Sequence, residues 1–218
     1  MTAAPPAPSR RRSVRALVVF VVVVAALVAV DLGSKAWAVD HLSGARPGTP
    51  PPVCQPDADG LLRSQRLPTD SVTLIDGWLQ LRYAENCGAA FSLFAGLAPP
   101  LRKTVFYLAA VLAMVVLGAL FVLGRGGRAF AVSAPLILAG AIGNLVDRIQ
   151  LGYVVDFIRF YVRDGFWFIP PGWEYPTFNI ADAWITIGVA LILIDALLEG
   201  RRVRQASAGT ETPSHADA

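Results

Sequence analysis

GAIGNLVDRIQLGYVVDFIRFYVRDGFWFIPPGWEYPTFNIAD, residues Gly140 to Asp182, lies between two strongly apolar runs and yet carries Asp147, Arg148, Asp156, Asn179 and Asp182. An ionised side chain at membrane depth costs roughly 2.5 to 3.5 kcal/mol on insertion scales, so a carboxylate there marks a candidate functional site. Several such groups around the ends of two membrane helices predict a buried polar site.

The rest of the chain supplies the membrane. It has 218 residues, 55% of them hydrophobic and 16% charged, with a mean hydropathy of +0.53. That composition excludes an ordinary soluble domain. Crossing about 30 Å of hydrocarbon takes about 20 helical residues, and runs at about 16–39, 104–123, 129–149 and 180–199 are long enough. The fold class expected is therefore membrane all-α, with residues 1–15 as a cytoplasmic tail, 16–200 as one four-span unit and 201–218 as a disordered cytoplasmic tail.

Charge placement orients the spans. Arg10, Arg11, Arg12 and Arg15 precede the first, Arg125 and Arg128 link the second to the third, and Arg201, Arg202 and Arg204 follow the fourth. An even number of spans puts all three groups on one side, which the positive-inside rule makes cytoplasmic. Because each cluster abuts a membrane segment, no nucleic-acid role is expected. Arg102 and Lys103, at the outer end of the second span, run against the rule. A cleaved signal peptide is the competing reading of span one, from its basic start, the apolar run Ala16 to Val30 and the triplet Ala36-Trp37-Ala38. Against it, Asp31 and Lys35 interrupt the template, and three remaining spans would split the basic clusters between two sides.

The outward segments, 40–103 and the loop after Arg148, hold both cysteines. An oxidising compartment permits a disulfide between Cys54 and Cys87, but their spacing does not decide whether they pair. A Cys and His zinc site would need these two with His41 and His215, and the last lies on the opposite side; no metal or other cofactor is expected.

Local patterns add detail. Ser43 to Thr69 is rich in Pro and Gly without a period, hence a linker or irregular insert. Thr73 to Tyr83 alternates, with Leu79, Leu81 and Tyr83 on one face, which predicts a half-buried strand in a small extracytoplasmic sheet. Asn86, Gly88 and Ala89 fall in a run of small residues suited to a turn or a close backbone approach to a ligand. Asp31 and Lys35, spaced i, i+4, can pair on one helical face. Asn144 and Arg148 share a face in the same way, whereas Asp147 sits beside Arg148 and reads as its structural partner near the outer interface. The aromatic-dense segment Tyr153 to Phe178 predicts an interfacial helix on the outer leaflet. Asn179, Asp182 and Thr186 form a polar stripe that should face the bundle interior.

Asp156 and Asp182 come from different elements and could meet at the outer edge of the bundle. Like-charge repulsion and partial burial would then keep one protonated while the other stays ionised, the state used by aspartic proteases. An ion-coupled transporter also needs intramembrane carboxylates, and the residues alone leave both classes open.

Four motifs in order decide between them by resemblance: Asp31-Leu32-Gly33-Ser34-Lys35; Asn86-Cys87-Gly88-Ala89-Ala90-Phe91-Ser92; Gly143-Asn144-Leu145-Val146-Asp147-Arg148 running on to Val154-Val155-Asp156-Phe157; and Phe178-Asn179-Ile180-Ala181-Asp182. With them the chain resembles the lipoprotein signal peptidases (signal peptidase II), four-span intramembrane aspartyl proteases of bacteria. The resemblance implies an endopeptidase of the bacterial inner membrane. Its substrate would be a prolipoprotein, cut just before a diacylglyceryl-modified cysteine. It implies Asp156 and Asp182 as the catalytic dyad. Asn144, Arg148 and Asn179 would support the dyad and substrate backbone, Asn86, Gly88 and Ala89 would line the substrate site, and Asp31 and Lys35 would stabilise the outer end of span one. Membrane lipids are its surroundings, and a monomer is expected.

Two stretches depart from the family pattern. The insert around 43–69 and the stretch Arg163 to Tyr175 are both enlarged, on the side where substrate would enter. The aromatics from Phe166 to Tyr175 are expected to form part of a lid or membrane anchor.

Overall fold

The computed structural model describes residues 11–88 and 99–210. Of the expected site residues, Ala89 lies outside these. Four helices carry the apolar runs: α1 (Val14–Leu42), α2 (Pro99–Val122), α3 (Arg128–Gln150) and α4 (Ile180–Thr210), each long and apolar enough to cross a membrane. Helix α4 runs on to Thr210, so residues 201–210, expected within a disordered tail, are helical. The last turns hold no proline to stop them.

Helix α3 is the hub, packed on each of the other three. Small residues set how closely. A Cβ at Gly140 would run into the Ala181 carbonyl and the Ile185 side chain, one at Gly143 into the Asp31 carboxylate, and one at Gly188 to within 2.6 Å of Ile137. These glycines let α1 and α4 approach α3 so closely that polar groups on the three helices meet directly, as packing without a hydrophobic driving force requires.

Above the bundle lie two sheets. A two-stranded one pairs β1 (Ser43–Ala45) with β2 (Arg66–Pro68), and a four-stranded antiparallel one has the order β3 (Val72–Ile75), β4 (Leu79–Asn86), β5 (Val154–Val162), β6 (Trp173–Glu174). The alternating run from Thr73 is therefore not one strand. It folds back at Asp76-Gly77, where Gly77 has φ +79° and Trp78 N–H donates to Ile75 at 3.0 Å; Asp-Gly is a strong hairpin signal that the alternation around it concealed.

The expected interfacial helix is likewise corrected. Tyr153 to Phe178 forms the β5–β6 hairpin, because Val-Val-Asp-Phe-Ile-Arg-Phe-Tyr-Val is β-branched and aromatic and finds a paired edge on β4. At its far end Phe166 and Ile169 exchange backbone hydrogen bonds around Trp167 and Phe168, which are 91% and 80% exposed. The hairpin closes at its base, where Phe157 and Ile158 both donate to the Phe178 carbonyl at 3.1 and 2.8 Å and Phe178 donates back to Ile158 at 3.0 Å. The last turns of α1, with Ala38 and Leu42, pack beneath the sheet against Tyr83, Tyr153, Val155 and Phe157. That packing holds β5 directly above the outer ends of α1 and α3.

Candidate active site

Asp156 and Asp182 reach one cavity from opposite sides. Asp156 is on the buried half of β5, paired in register with Ala84 of β4, and only 2% of it is exposed. Asp182 is in the first turn of α4, where the chain turns sharply into the helix. Asn179 caps this turn: its side-chain oxygen accepts from Asp182 N–H at 3.0 Å, and Asp182 Oδ2 accepts from Asn179 N–H at 3.3 Å. This reciprocal capping box satisfies two amides that the helix start would leave unpaired. It also fixes the Asp182 carboxylate.

The fully buried Asn179 side-chain amide then donates to Asp156 Oδ1 at 2.7 Å and to Asn144 Oδ1 at 3.1 Å. Asn144 in turn donates to Asp182 Oδ1 at 2.8 Å. On the far side, Asn86 Nδ2 donates to Asp156 Oδ2 at 2.9 Å, and the Asn86 oxygen accepts from Gly88 N–H at 2.9 Å. Arg148 ties this turn to α3 by donating to the Gly88 carbonyl at 2.9 Å and to the Asn144 carbonyl at 3.2 Å, with its guanidinium 4.4 Å over the Phe106 ring. Each described residue expected at the site, Asn86, Gly88, Asn144, Arg148, Asn179, Asp156 and Asp182, thus belongs to one connected network.

A buried cation stands behind it. Lys35 Nζ lies 2.9 Å from Asp31 Oδ2, 3.1 Å from Asp147 Oδ2 and 2.9 Å from Asn144 Oδ1, which accounts for its three donors. The i, i+4 pair of Asp31 and Lys35 forms as the spacing predicts, yet it does more than finish the end of α1. Asp31 Oδ1 accepts from Ala181 N–H at 2.8 Å, so it holds the start of α4, and Asp147 Oδ2 accepts from Val155 N–H at 3.0 Å, so it holds β5. Asp147 is therefore structural, as its position suggests, but its ionic partner is Lys35, not Arg148. Adjacent residues on a helix point about 100° apart, and Arg148 turns toward the cavity instead.

Asp156 has the electrostatics of a proton carrier. Burial, and after it the neighbouring Asp182 charge, push its carboxyl up to about 7, against the lowering pull of the Asn86 and Asn179 hydrogen bonds. The cavity in front of it has a volume of about 610 Å3 and is bounded on α4 by Asp182, Ile185 and Thr186, which matches the predicted polar stripe. Two walls come from segments that sequence reasoning did not assign to the site. Leu62, Arg63 and Ser64 of the insert form one, and Tyr175 to Phe178 at the hairpin base form the other. Glu85 explains the first: its carboxylate accepts from Gln65 N–H at 2.7 Å and Arg66 N–H at 2.8 Å, docking the insert on β4. A disulfide between Cys54 and Cys87, with Cα atoms 5.4 Å apart, ties the insert to the residue between Asn86 and Gly88.

Comparison with known proteins names the assembly. The family model described as Signal peptidase (SPase) II matches residues 23–198. The chain belongs to the signal peptidase II family. Members of this family are aspartyl proteases that cleave signal peptides from prolipoproteins. A lipoprotein signal peptidase of Anaeromyxobacter sp. (strain Fw109-5) is 34% identical over 189 residues, covering 85% of this chain and 87% of that protein. One from Geobacter sulfurreducens is 39% identical over 133 residues, covering 61% of this chain and 77% of that one. The fold is similar to that of a solved bacterial membrane enzyme, with a TM-score of 0.58 at 24% identity over 96% of this chain and 98% of that chain. Membership of this family settles the choice between peptidase and transporter that the carboxylates alone leave open.

Proposed function

We propose that Asp156 and Asp182 are the catalytic dyad and that they cut a prolipoprotein just before its diacylglyceryl-modified cysteine. The observation that carries the assignment is the Asn179 and Asn144 bridge, which holds two carboxylates from separate elements at one cavity. With its proton retained to about pH 7, Asp156 donates to the scissile carbonyl oxygen while Asp182 takes a proton from the attacking water. The water oxygen bonds to the carbonyl carbon. Collapse of that tetrahedral intermediate breaks the C–N bond and passes a proton to the leaving amine. Arg148 and the Gly88 carbonyl it orients are placed to hold the substrate backbone against the dyad.

The basic clusters at the start of α1, between α2 and α3, and after the fourth span support an inner-membrane orientation with both termini cytoplasmic. The disulfide at the other end suits an oxidising exterior. Lipid modification of the substrate fits a cavity at the level where helices give way to sheet, since a diacylglyceryl group keeps the cleavage site at the membrane boundary. Trp167 and Phe168 at the hairpin tip then serve as an anchor in the outer interface.

The test is cleavage of a diacylglyceryl-modified lipobox peptide by the purified protein in detergent with EDTA. Asp156→Asn and Asp182→Asn should each abolish cleavage, and Asp164→Asn, at an exposed position, should keep it. Full activity in either of the first two variants would remove the dyad assignment.

A further inference from the structure

At the end of the bundle away from the carboxylates, α1 and α2 both rest on α3 and leave between them a groove of about 640 Å3. Pro135 and Leu136 of α3 form its floor and Val19, Val23 and Leu27 of α1 one wall. Toward α2 it is closed by Phe121, which stacks on Phe20 with ring centroids 3.9 Å apart. The groove is apolar along its length but cationic at its mouth, where Arg12 and Arg15 stand. Arg12 is held there: its backbone N–H donates to Val122 at 3.3 Å and its guanidinium lies 4.3 Å over the Phe121 ring. Yet its Nε–H is buried with no hydrogen-bond partner among the described residues, a costly state for a charged group.

We propose that this groove is a binding site for one anionic phospholipid, with an acyl chain along α3 and the phosphate on Arg12 and Arg15. A phosphate oxygen gives the orphaned Nε–H its acceptor, Arg15 is exposed and reachable, and the positive end of the α1 dipole adds to the attraction. Charge selects this occupant over the alternatives. A substrate signal helix enters with a basic n-region, and a second copy of this chain would bring its own arginines, so both would be repelled at this mouth.

The experiment is native mass spectrometry of the delipidated full chain in detergent, with phosphatidylglycerol, phosphatidylcholine of the same acyl chains, or inorganic phosphate added. Each arginine is expected to favour the anionic lipid by roughly fivefold. Wild type should retain phosphatidylglycerol preferentially, Arg15→Gln and Arg12→Gln should each erode that preference, and Val23→Trp, which fills the groove, should reduce retention of both lipids. Equal retention of the two lipids by wild type would overturn the proposal, as would an unchanged preference in Arg15→Gln, whose exposed side chain is not needed for folding. Displacement of the lipid by inorganic phosphate or by a synthetic basic signal peptide would overturn it too.

Discussion

The side-chain amide of Asn179 donates to Oδ1 of Asp156 at 2.7 Å across 23 residues of sequence, while the same residue caps the turn that carries Asp182. One amide therefore sets the relative position of two carboxylates. Asn179→Ala keeps both acids but releases both constraints, and misplacement of reacting groups by about 1 Å can cost on the order of 100-fold. Steady-state cleavage should show a kcat fall of about that size with a smaller change in KM. A KM effect alone would mean that Asn179 binds substrate and does not position the dyad.

The pH profile should carry the mark of Asp156. Its neutral form is the proton donor, so cleavage should fall as pH rises through about 7. Asn86 donates to this carboxylate and favours its ionised form. Asn86→Ala should therefore raise the carboxyl further and move the alkaline limb upward, by on the order of one pH unit. A limb that moves down would contradict the assignment of the proton to Asp156.

The same shift links pH to stability. Between its ordinary 3.8 and about 7, the folded state holds a proton that the unfolded state has lost, so stability contributed by this group is full below about 4 and declines as pH rises to 7. The span of that decline is on the order of 4 kcal/mol. Thermal unfolding in detergent from pH 4 to 8 should show the trend, and Asp156→Asn should flatten it.

Lys35 is the cation shared by Asp31, Asp147 and Asn144. Lys35→Met keeps the volume but strands two buried carboxylates, a change worth about 3 to 5 kcal/mol. Melting should drop accordingly, and activity should fall with it because Asn144 loses the donor that orients it toward Asp182. Adding Asp31→Asn and Asp147→Asn should recover much of the stability. If the triple variant melts no higher than Lys35→Met, the loss comes from packing and not from unpaired charge.

Loss of the disulfide is the fifth test. Cys54 and Cys87 close a segment with a sequence separation of 33, which in the chain-entropy model corresponds to about 3 to 4 kcal/mol. Cys54→Ser should lower the melting temperature and also raise KM, since the Asn86 to Gly88 turn loses its tether to the insert. Unchanged KM with lowered stability would show that the turn is held by Arg148 and β4 alone.

How legible all this is from sequence differs by residue, for physical reasons. Spans announce themselves because hydrocarbon demands length and apolarity, and Asp156 and Asp182 stand out because a carboxylate among apolar neighbours is expensive. The Asp31 and Lys35 pair follows from helical spacing. Its reach to Ala181, 150 residues away, does not, since nothing local encodes which helix ends meet. Asp147 was readable as structural but not as the partner of Lys35. The insert wall at Leu62 to Ser64 was hidden because an aperiodic, proline-rich run carries no periodicity to read, and its location rests on tertiary pairings with Glu85 and Cys87. Aromatic density in Tyr153 to Phe178 is shared by interfacial helices and by strands, so composition pointed to the right region and the wrong element.

The clamp between Ile158 and Phe178 closes the base of the β5–β6 hairpin, well below its exposed tip at Trp167 and Phe168. Arg159 to Arg163 stay bonded to β4 and its turn and Tyr175 to Thr177 line the cavity, so only the turn beyond β5 and β6 can lengthen without a lever on Asp156 or Asp182. This leaves the network around Asp156 and Asp182 independent of the hairpin tip. It also makes the turn at Trp167 and Phe168 a natural port: an epitope or fluorophore spliced there would change how the molecule sits against its surroundings while the chemistry at the base ran on unaltered.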